Sequence, residues 1–354
     1  LKRIEDMNIP LNKIFRKLSP YVPGEQPSEK NFIKLNTNEN PFPVPKEVIN
    51  AIREQIDGSI RKYPDPEAYG LRKAIGKHYG FDPKWIFAGN GSDEILRLCI
   101  TAFSSKDDYV AFLYPSYPLY EVLATISDRK PCRVNLKSDF NIPDDFMNRY
   151  NLYMKIIANP DSPSGCFHPV DQIRDIAKKL RRVLVIDEAY ADFSKDNCLN
   201  LVKDFENVIV VRTFSKSFSL AGMRIGYCFG NPRLISALLK IKDSYNLNTI
   251  SQVAGISAIN HYDVMMKNCR KIIRNRDYLK GELEKIGFYV FPSSANFILV
   301  KPLHIKAEDL YKVLKEKRIL VRYFGTPLLK DYLRITIGSK KEIKVLMSAI
   351  KEII

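Results

Sequence analysis

No stretch of this chain is apolar for the roughly twenty residues that a bilayer-spanning helix needs, which argues against a membrane-spanning bundle. The first residues, Leu1-Lys2-Arg3-Ile4-Glu5-Asp6, lack the apolar core of a secretory signal, so the expected location is the cytoplasm. Cysteine is sparse: Cys99, Cys132, Cys166, Cys198, Cys228 and Cys269 lie far apart, with no Cys-x-x-Cys. That spacing argues against a disulfide scaffold and against a zinc module, and suits reduced thiols. Histidine is scarcer still, and His78, His168, His261 and His304 are scattered, so no metal ligand is assigned. Acidic residues are in the minority, 40 against 56 basic ones, for a formal charge of +16. Such a charge attracts anionic ligands, but the basic residues are spread through the chain. Segments such as Lys178-Lys179-Leu180-Arg181-Arg182 adjoin apolar residues at helical spacing, as solvated helix faces do, so no nucleic-acid partner is expected.

What remains is a chain of 354 residues with 45% hydrophobic content, enough to bury a large core in one big domain and a smaller one. Pro10, Pro20, Pro23, Gly24 and Pro27 break the first stretch, so residues 1–35 are expected to form an arm lying over another surface. A helix is predicted from Pro45, with Val48, Ile49, Ile52 and Ile56 on one face and Gly58 as its C-terminal cap. Another is predicted around Leu71, Ile75 and His78. Short apolar strands then alternate with helical stretches, at residues 109–113, 153–158, 183–187, 208–211 and 225–229. Alternation of this kind predicts an α/β fold with a mostly parallel central sheet, over a large domain of residues 36–245. A smaller α+β domain is predicted over residues 246–354, from a long helix near 264–286 and strands at 297–300 and 333–337.

Polar residues continue several of these strands, and ligands bind at the carboxyl ends of such strands. The most informative continuation is Thr213-Phe214-Ser215-Lys216, with Arg224 shortly after it, downstream of Val185-Ile186-Asp187-Glu188-Ala189-Tyr190. A pyridoxal-phosphate site needs one amine, a buried anion for the ring nitrogen, and cationic or hydroxyl donors for the phosphate. Lys216 supplies the amine. Asp187 ends an apolar strand, where a carboxylate is costly unless paired, and a pyridinium nitrogen would pair it; a helix-capping aspartate is the structural alternative. Tyr190 is placed to donate to the phenolic oxygen. Ser215 and Arg224, with Thr213 beside them, suit a phosphate. Gly89-Asn90-Gly91-Ser92-Asp93-Glu94 precedes a helical run and would present free N–H groups to an anion, although a glycine turn with a Ser/Asp cap also begins ordinary helices. Tyr117 sits where an aromatic ring can stack on a planar one. Arg322 and Arg334 each lie among apolar residues near the end, where they want an anion or a structural carboxylate.

Taken together, these segments resemble the aspartate-aminotransferase-like superfamily and, within it, the histidinol-phosphate aminotransferase family. The closer likeness rests on Leu18-Ser19-Pro20-Tyr21-Val22-Pro23-Gly24, Lys34-Leu35-Asn36-Thr37-Asn38-Glu39-Asn40-Pro41, Arg61-Lys62-Tyr63-Pro64-Asp65-Pro66 and Leu333-Arg334-Ile335-Thr336-Ile337-Gly338. The resemblance implies a fold-type I pyridoxal-phosphate transferase. It implies Lys216 as the lysine that carries pyridoxal 5'-phosphate and shuttles the proton, Asp187 at the pyridine nitrogen, Tyr190 at the phenolic oxygen and Tyr117 over the ring. Ser92, Asp93, Ser215 and Arg224 would meet the phosphate. Tyr63 would reach the cofactor of a neighbouring subunit, making a homodimer the working unit, and Tyr21, Asn38, Arg322 and Arg334 would face the substrate. The chain departs from the pattern at one point: the family usually places Asn before Pro-Thr-Gly, and here Ser162 precedes Pro163-Ser164-Gly165. A shorter hydroxyl reaches the phenolic oxygen directly or through water.

The resemblance implies transamination between L-histidinol phosphate and 2-oxoglutarate. An aromatic or broad-range aminotransferase and a threonine-phosphate decarboxylase share the cofactor motifs and stay open as alternatives. A DNA-binding regulator on the same scaffold is disfavoured, because the stretch before Pro41 is too short and too broken by proline for a helix-turn-helix.

Overall fold

The computed structural model describes Ile14, Leu18, Pro20, residues 22–27, Glu29 and residues 31–354 apart from Asp57, Arg149 and Asn151. Most of the expected arm, and Tyr21 within it, lies outside the described residues.

Seven strands build the central sheet: β2 (Ile86–Gly89), β3 (Tyr109–Tyr114), β4 (Lys130–Asn135), β5 (Met154–Ala158), β6 (Leu184–Asp187), β7 (Val208–Thr213) and β8 (Gly226–Gly230). A short β1 (Ile33–Lys34) lies outside it. Their spatial order is β2-β8-β7-β6-β5-β3-β4. From β7 to β4 all neighbours run parallel, whereas β8 is antiparallel to both β7 and β2. Strands β5, β6 and β7 are buried along their whole length, as expected for a parallel sheet covered on both faces. Alternate residues feed two cores. Leu184, Ile186, Val208 and Val210 join one, and Val185, Ile209 and Val211 join the other.

Helices line the sheet. Helix α1 (Lys46–Gln55) is capped two residues before the predicted position: Ile56 is its C-terminal cap, and Gly58 instead opens a short 3-10 turn. Helix α2 (Tyr69–Tyr79) ends at Gly80 in the left-handed conformation, φ 72°, which glycine adopts without strain. Helix α3 (Gly91–Phe103) turns its apolar side, including Ile95, Leu96 and Cys99, into the second core. The helix Thr249–Asn260 packs against both α1 and α2.

A second, antiparallel sheet follows from β9 (Phe288–Val290), β10 (Phe297–Pro302), β12 (Arg322–Tyr323) and β13 (Leu333–Thr336), in the order β12-β13-β10-β9. Strand β11 (Ile319–Leu320) runs parallel to β1, with Ile33 opposite Ile319 and Lys34 opposite Leu320. That pairing leads residues 35–41 from the C-terminal part of the chain toward the carboxyl ends of β5, β6 and β7. No helix among the described residues is long and apolar enough to cross a membrane.

Candidate active site

Register brings Ala158, Asp187 and Val211 side by side at the carboxyl ends of β5, β6 and β7. The pocket opening there is lined by Asn38, Ser92, Asp93, Tyr117, Ser162, Asp187, Tyr190, Thr213, Ser215, Lys216, Arg224, Arg322 and Arg334. Every predicted cofactor or substrate residue within the described chain is therefore in one cavity, with the exception of Tyr63. Tyr63 is 80% exposed and stacks on Tyr245, ring centroids 4.3 Å apart and planes 11° from parallel.

Asp187 follows the alternation of β6 and faces the second core. Tyr120 Oη donates to its Oδ2 at 2.7 Å and the Ala189 N–H to its Oδ1 at 3.2 Å. Among the described residues no cation lies within ion-pairing distance of it. Burial consequently pushes its carboxyl up to about 6, against the pull of the Tyr120 and Ala189 hydrogen bonds. A buried carboxylate that lines the pocket and has no cation within ion-pairing distance is the observation that best fits a protonated ring nitrogen as ligand.

Lys216 follows β7 in a bend. Its Nζ donates to the Thr37 carbonyl at 3.2 Å and lies 5.8 Å from the Tyr190 ring centroid. Burial first, and then the Arg334 charge, lower its ammonium to about 8, which makes the free amine accessible near neutrality. Tyr190 Oη accepts from Asn38 Nδ2 at 2.9 Å, and Ser162 lines the same pocket. Burial raises the Tyr190 phenol, opposed by Arg334 and by the Asn38 hydrogen bond.

The other end of the pocket suits an anion. Helix α3 begins there without a side-chain cap from Asn90, leaving N–H groups of its first turn toward the cavity. Arg224, at φ 52°, places Nη1 3.5 Å from Ser215 Oγ and Nη2 3.0 Å from Asp93 Oδ2. The Asp93 carboxylate thus partners Arg224, and Asp93 can offer an anion only its backbone N–H. Thr213 Oγ1 donates toward Ser215 Oγ (2.9 Å) and accepts from the Ser215 N–H (3.1 Å), fixing that serine. Gly226 backs the turn: a Cβ there would collide with the backbone of Gly91 and Ser92.

On the substrate side Arg334 donates from Nη1 to Ser162 Oγ and from Nη2 to the Asn36 carbonyl, both at 3.0 Å. Arg322 donates to the carbonyls of Pro23 (3.2 Å) and Val22 (3.0 Å). The Phe324 ring stands 5.4 Å from the Arg322 guanidinium and 5.5 Å from that of Arg334. Two cations thus share one wall.

Some participants were not picked out by sequence reasoning. Tyr120, the partner of Asp187, is a buried phenol in an apolar helix, and such a group needs a hydrogen-bond partner. Asp161, 1% exposed, accepts from Ser116 Oγ at 2.8 Å and from Ser164 Oγ at 2.6 Å, tying the loop before Tyr117 to the loop of Ser162. Burial pushes Asp161 up to about 6, as it does Asp187, from an ordinary 3.8. Between about pH 4 and 6 the folded, cofactor-free protein therefore holds protons on these groups that the unfolded chain has released. Their contribution to stability falls as pH rises through that window. Because other carboxylates titrate in the same range, the check is a difference: cofactor-free Asp161→Asn is expected to gain in melting temperature relative to wild type between pH 4 and 6. A constant offset across the window would contradict this assignment.

A strand-end carboxylate, a lysine and an anion-binding helix start on a mostly parallel sheet define an enzyme of the class I and II aminotransferase type, and the family model described as "Aminotransferase class I and II" matches residues 30–350. A histidinol-phosphate aminotransferase of Syntrophotalea carbinolica is 41% identical over 345 residues, covering 97% of this chain and 99% of its own. One from Clostridium botulinum is also 41% identical, over 97% and 98%. The chain belongs to the histidinol-phosphate aminotransferase family. In three dimensions it is similar to the histidinol-phosphate aminotransferase of Sinorhizobium meliloti, solved in complex with pyridoxal-5'-phosphate, with a TM-score of 0.89, 26% identity and 98% coverage of each chain.

Proposed function

We propose that this enzyme transfers the amino group of L-histidinol phosphate to 2-oxoglutarate, yielding imidazole acetol phosphate and L-glutamate in histidine biosynthesis, with pyridoxal 5'-phosphate as cofactor. The observation that carries this reading is the single pocket holding Asp187 without a cation, Lys216 with a lowered pKa, and the arginine pair Arg322 and Arg334. When bound, pyridoxal phosphate supplies a carbonyl that condenses with amines and a ring that draws off electron density as the substrate Cα–H bond breaks.

The chain's own groups do the rest. Asp187 would hold the proton on the ring nitrogen, and Tyr120 holds Asp187. Ser92, Ser215 and Arg224, with the N–H groups opening α3, hold the phosphate, and Thr213 orients Ser215. Tyr190 would donate to the phenolic oxygen, assisted by Ser162, and Tyr117 would cover the ring. Lys216 would anchor the cofactor and, with its amine freed by the incoming substrate amine, would act as the base that takes up the substrate Cα proton. Arg334, with Arg322 and Asn38, would bind the phosphate of one substrate and a carboxylate of the other. The largely exposed side chain of Tyr63 supports a homodimer in which it reaches the partner's cofactor. Six free cysteines support a reducing cytoplasm.

The test is spectroscopic. Purified enzyme with cofactor should show near-visible absorption that L-histidinol phosphate, added without acceptor, moves to the shorter wavelength of pyridoxamine phosphate; 2-oxoglutarate should restore it. A band indifferent to histidinol phosphate but shifted by phenylalanine would establish the aromatic aminotransferase instead. Release of carbon dioxide from threonine phosphate would establish the decarboxylase.

A further inference from the structure

Within the segment Asn36-Thr37-Asn38-Glu39-Asn40, the proposed reaction uses Asn38, and Glu39 pairs with Lys34 at 2.7 Å. Asn40 remains. Its Nδ2 donates to the carbonyl of Lys216 at 3.1 Å and to that of Ser217 at 3.0 Å, while its Oδ1 accepts from the Phe42 N–H at 3.0 Å. The Phe42 contact fixes which end of the carboxamide is the donor, and both of its hydrogens are then committed. The two successive carbonyls lie outside any helix or strand, in a stretch of bends and a turn over residues 214–219 where Ser219 takes φ 60° and its N–H reaches the Lys216 carbonyl only at 3.4 Å, so Asn40 gives that carbonyl its shorter hydrogen bond. Ser217 is held from the other side too, where its hydroxyl donates to Asp192, a carboxylate that also accepts from Tyr262 at 3.4 Å. The same short segment meets the tip of the lysine, through the Thr37 carbonyl at Nζ.

We propose that Asn40 is a positioning residue for Lys216: its carboxamide fixes the peptide groups on either side of the Lys216–Ser217 bond and so sets the direction in which the amine leaves the backbone. A lysine side chain has four rotatable bonds, and fixing its root reduces the volume its amine explores. This inference rests on the reading of Lys216 as the anchoring lysine.

Cofactor-free wild type, Asn40→Ala and Asn40→Asp separate the possibilities. The rise of near-visible absorption after mixing with pyridoxal phosphate gives the attachment rate, and borohydride reduction followed by peptide mass analysis identifies the lysine modified. Pyridoxamine phosphate, which cannot condense with an amine, reports binding without attachment. Both variants are expected to attach the cofactor at least tenfold more slowly and with a displaced pH midpoint of the band. Asn40→Asp should be the slower, because its carboxylate faces two carbonyls and donates to neither. Affinity for pyridoxamine phosphate should stay within about twofold of wild type. Should the alanine variant fail to fold, Asn40→Asp, matched in size, carries the comparison. Wild-type attachment at Lys216 with an unchanged rate and midpoint in a folded variant overturns the inference alone. So does a loss of pyridoxamine phosphate affinity equal to the loss in attachment rate, which marks a merely structural role. A wild type that shows no band and no Lys216 adduct overturns the reading of Lys216 itself.

Discussion

Lys216→Ala is expected to eliminate the near-visible absorption of the cofactor-loaded enzyme and to lower turnover by roughly 10²–10⁴-fold or more, the range for loss of a positioned proton-transfer group. The geometry leaves no substitute. Lys216 is the only lysine among the residues lining the pocket as described, and the neighbouring cations are arginines, whose guanidinium groups stay protonated and cannot act as nucleophile or base. Stability should move the other way. The amine is disfavoured in its charged form by burial and by Arg334 and Arg224, so the cofactor-free variant should melt no lower than wild type below pH 8. Stopped-flow turnover, an absorbance spectrum and a thermal melt check all three parts. A variant that retained the band would show that another amine carries the cofactor.

Asp187→Asn should be nearly as damaging while leaving the fold intact. The amide oxygen can keep the Ala189 N–H, and the amide nitrogen can donate to the Tyr120 hydroxyl, which is able to accept as well as donate. Only the charge is lost. Removing one partner of a buried ion pair costs about 3–5 kcal/mol, which corresponds to a fall in turnover of roughly 10²–10⁴-fold if the whole penalty falls on the rate. Cofactor-free Asp187→Asn should meanwhile be at least as stable as wild type near pH 8, because a buried carboxylate without a cation has been neutralised. Opposite signs for activity and stability are the signature of a charge kept for a ligand. A parallel loss of both would make Asp187 a structural residue.

The parallel part of the sheet was legible because its strands bury both faces and so read as unbroken apolar runs: Val183-Leu184-Val185-Ile186 and Val208-Ile209-Val210-Val211 admit few other interpretations. Two strands escaped the same reading. β4 is an edge strand carrying Lys130, Pro131 and Arg133, residues that edges tolerate and central strands do not. β2 has four residues, too few for periodicity to speak. The cap of α1 was misplaced because glycine is a frequent helix terminator but not an obligatory one, and here the chain leaves the helix at Ile56. In the site, residues that carry their own chemical oddity were visible: a lysine and arginine after a strand, an aspartate ending one. Residues that act by holding others, such as Asn40, Tyr120 and Asp161, were not, because a side chain's partner across more than forty positions leaves no local trace.

The joining of β1 to β11 governs when the enzyme can come into being during its own synthesis. Lys216 and Asp187 emerge from the ribosome well before the walls of their pocket do. The Asn38 N–H finds its acceptor on Thr336, 298 residues later, and Arg334 closes on the Asn36 carbonyl across the same span. Contacts this distant form late and carry a large loop-closure cost. A nascent or prematurely ended chain would therefore display the reactive lysine without the groups that restrict what reaches it, and discrimination between substrates is acquired only as the last few dozen residues fold back onto the first.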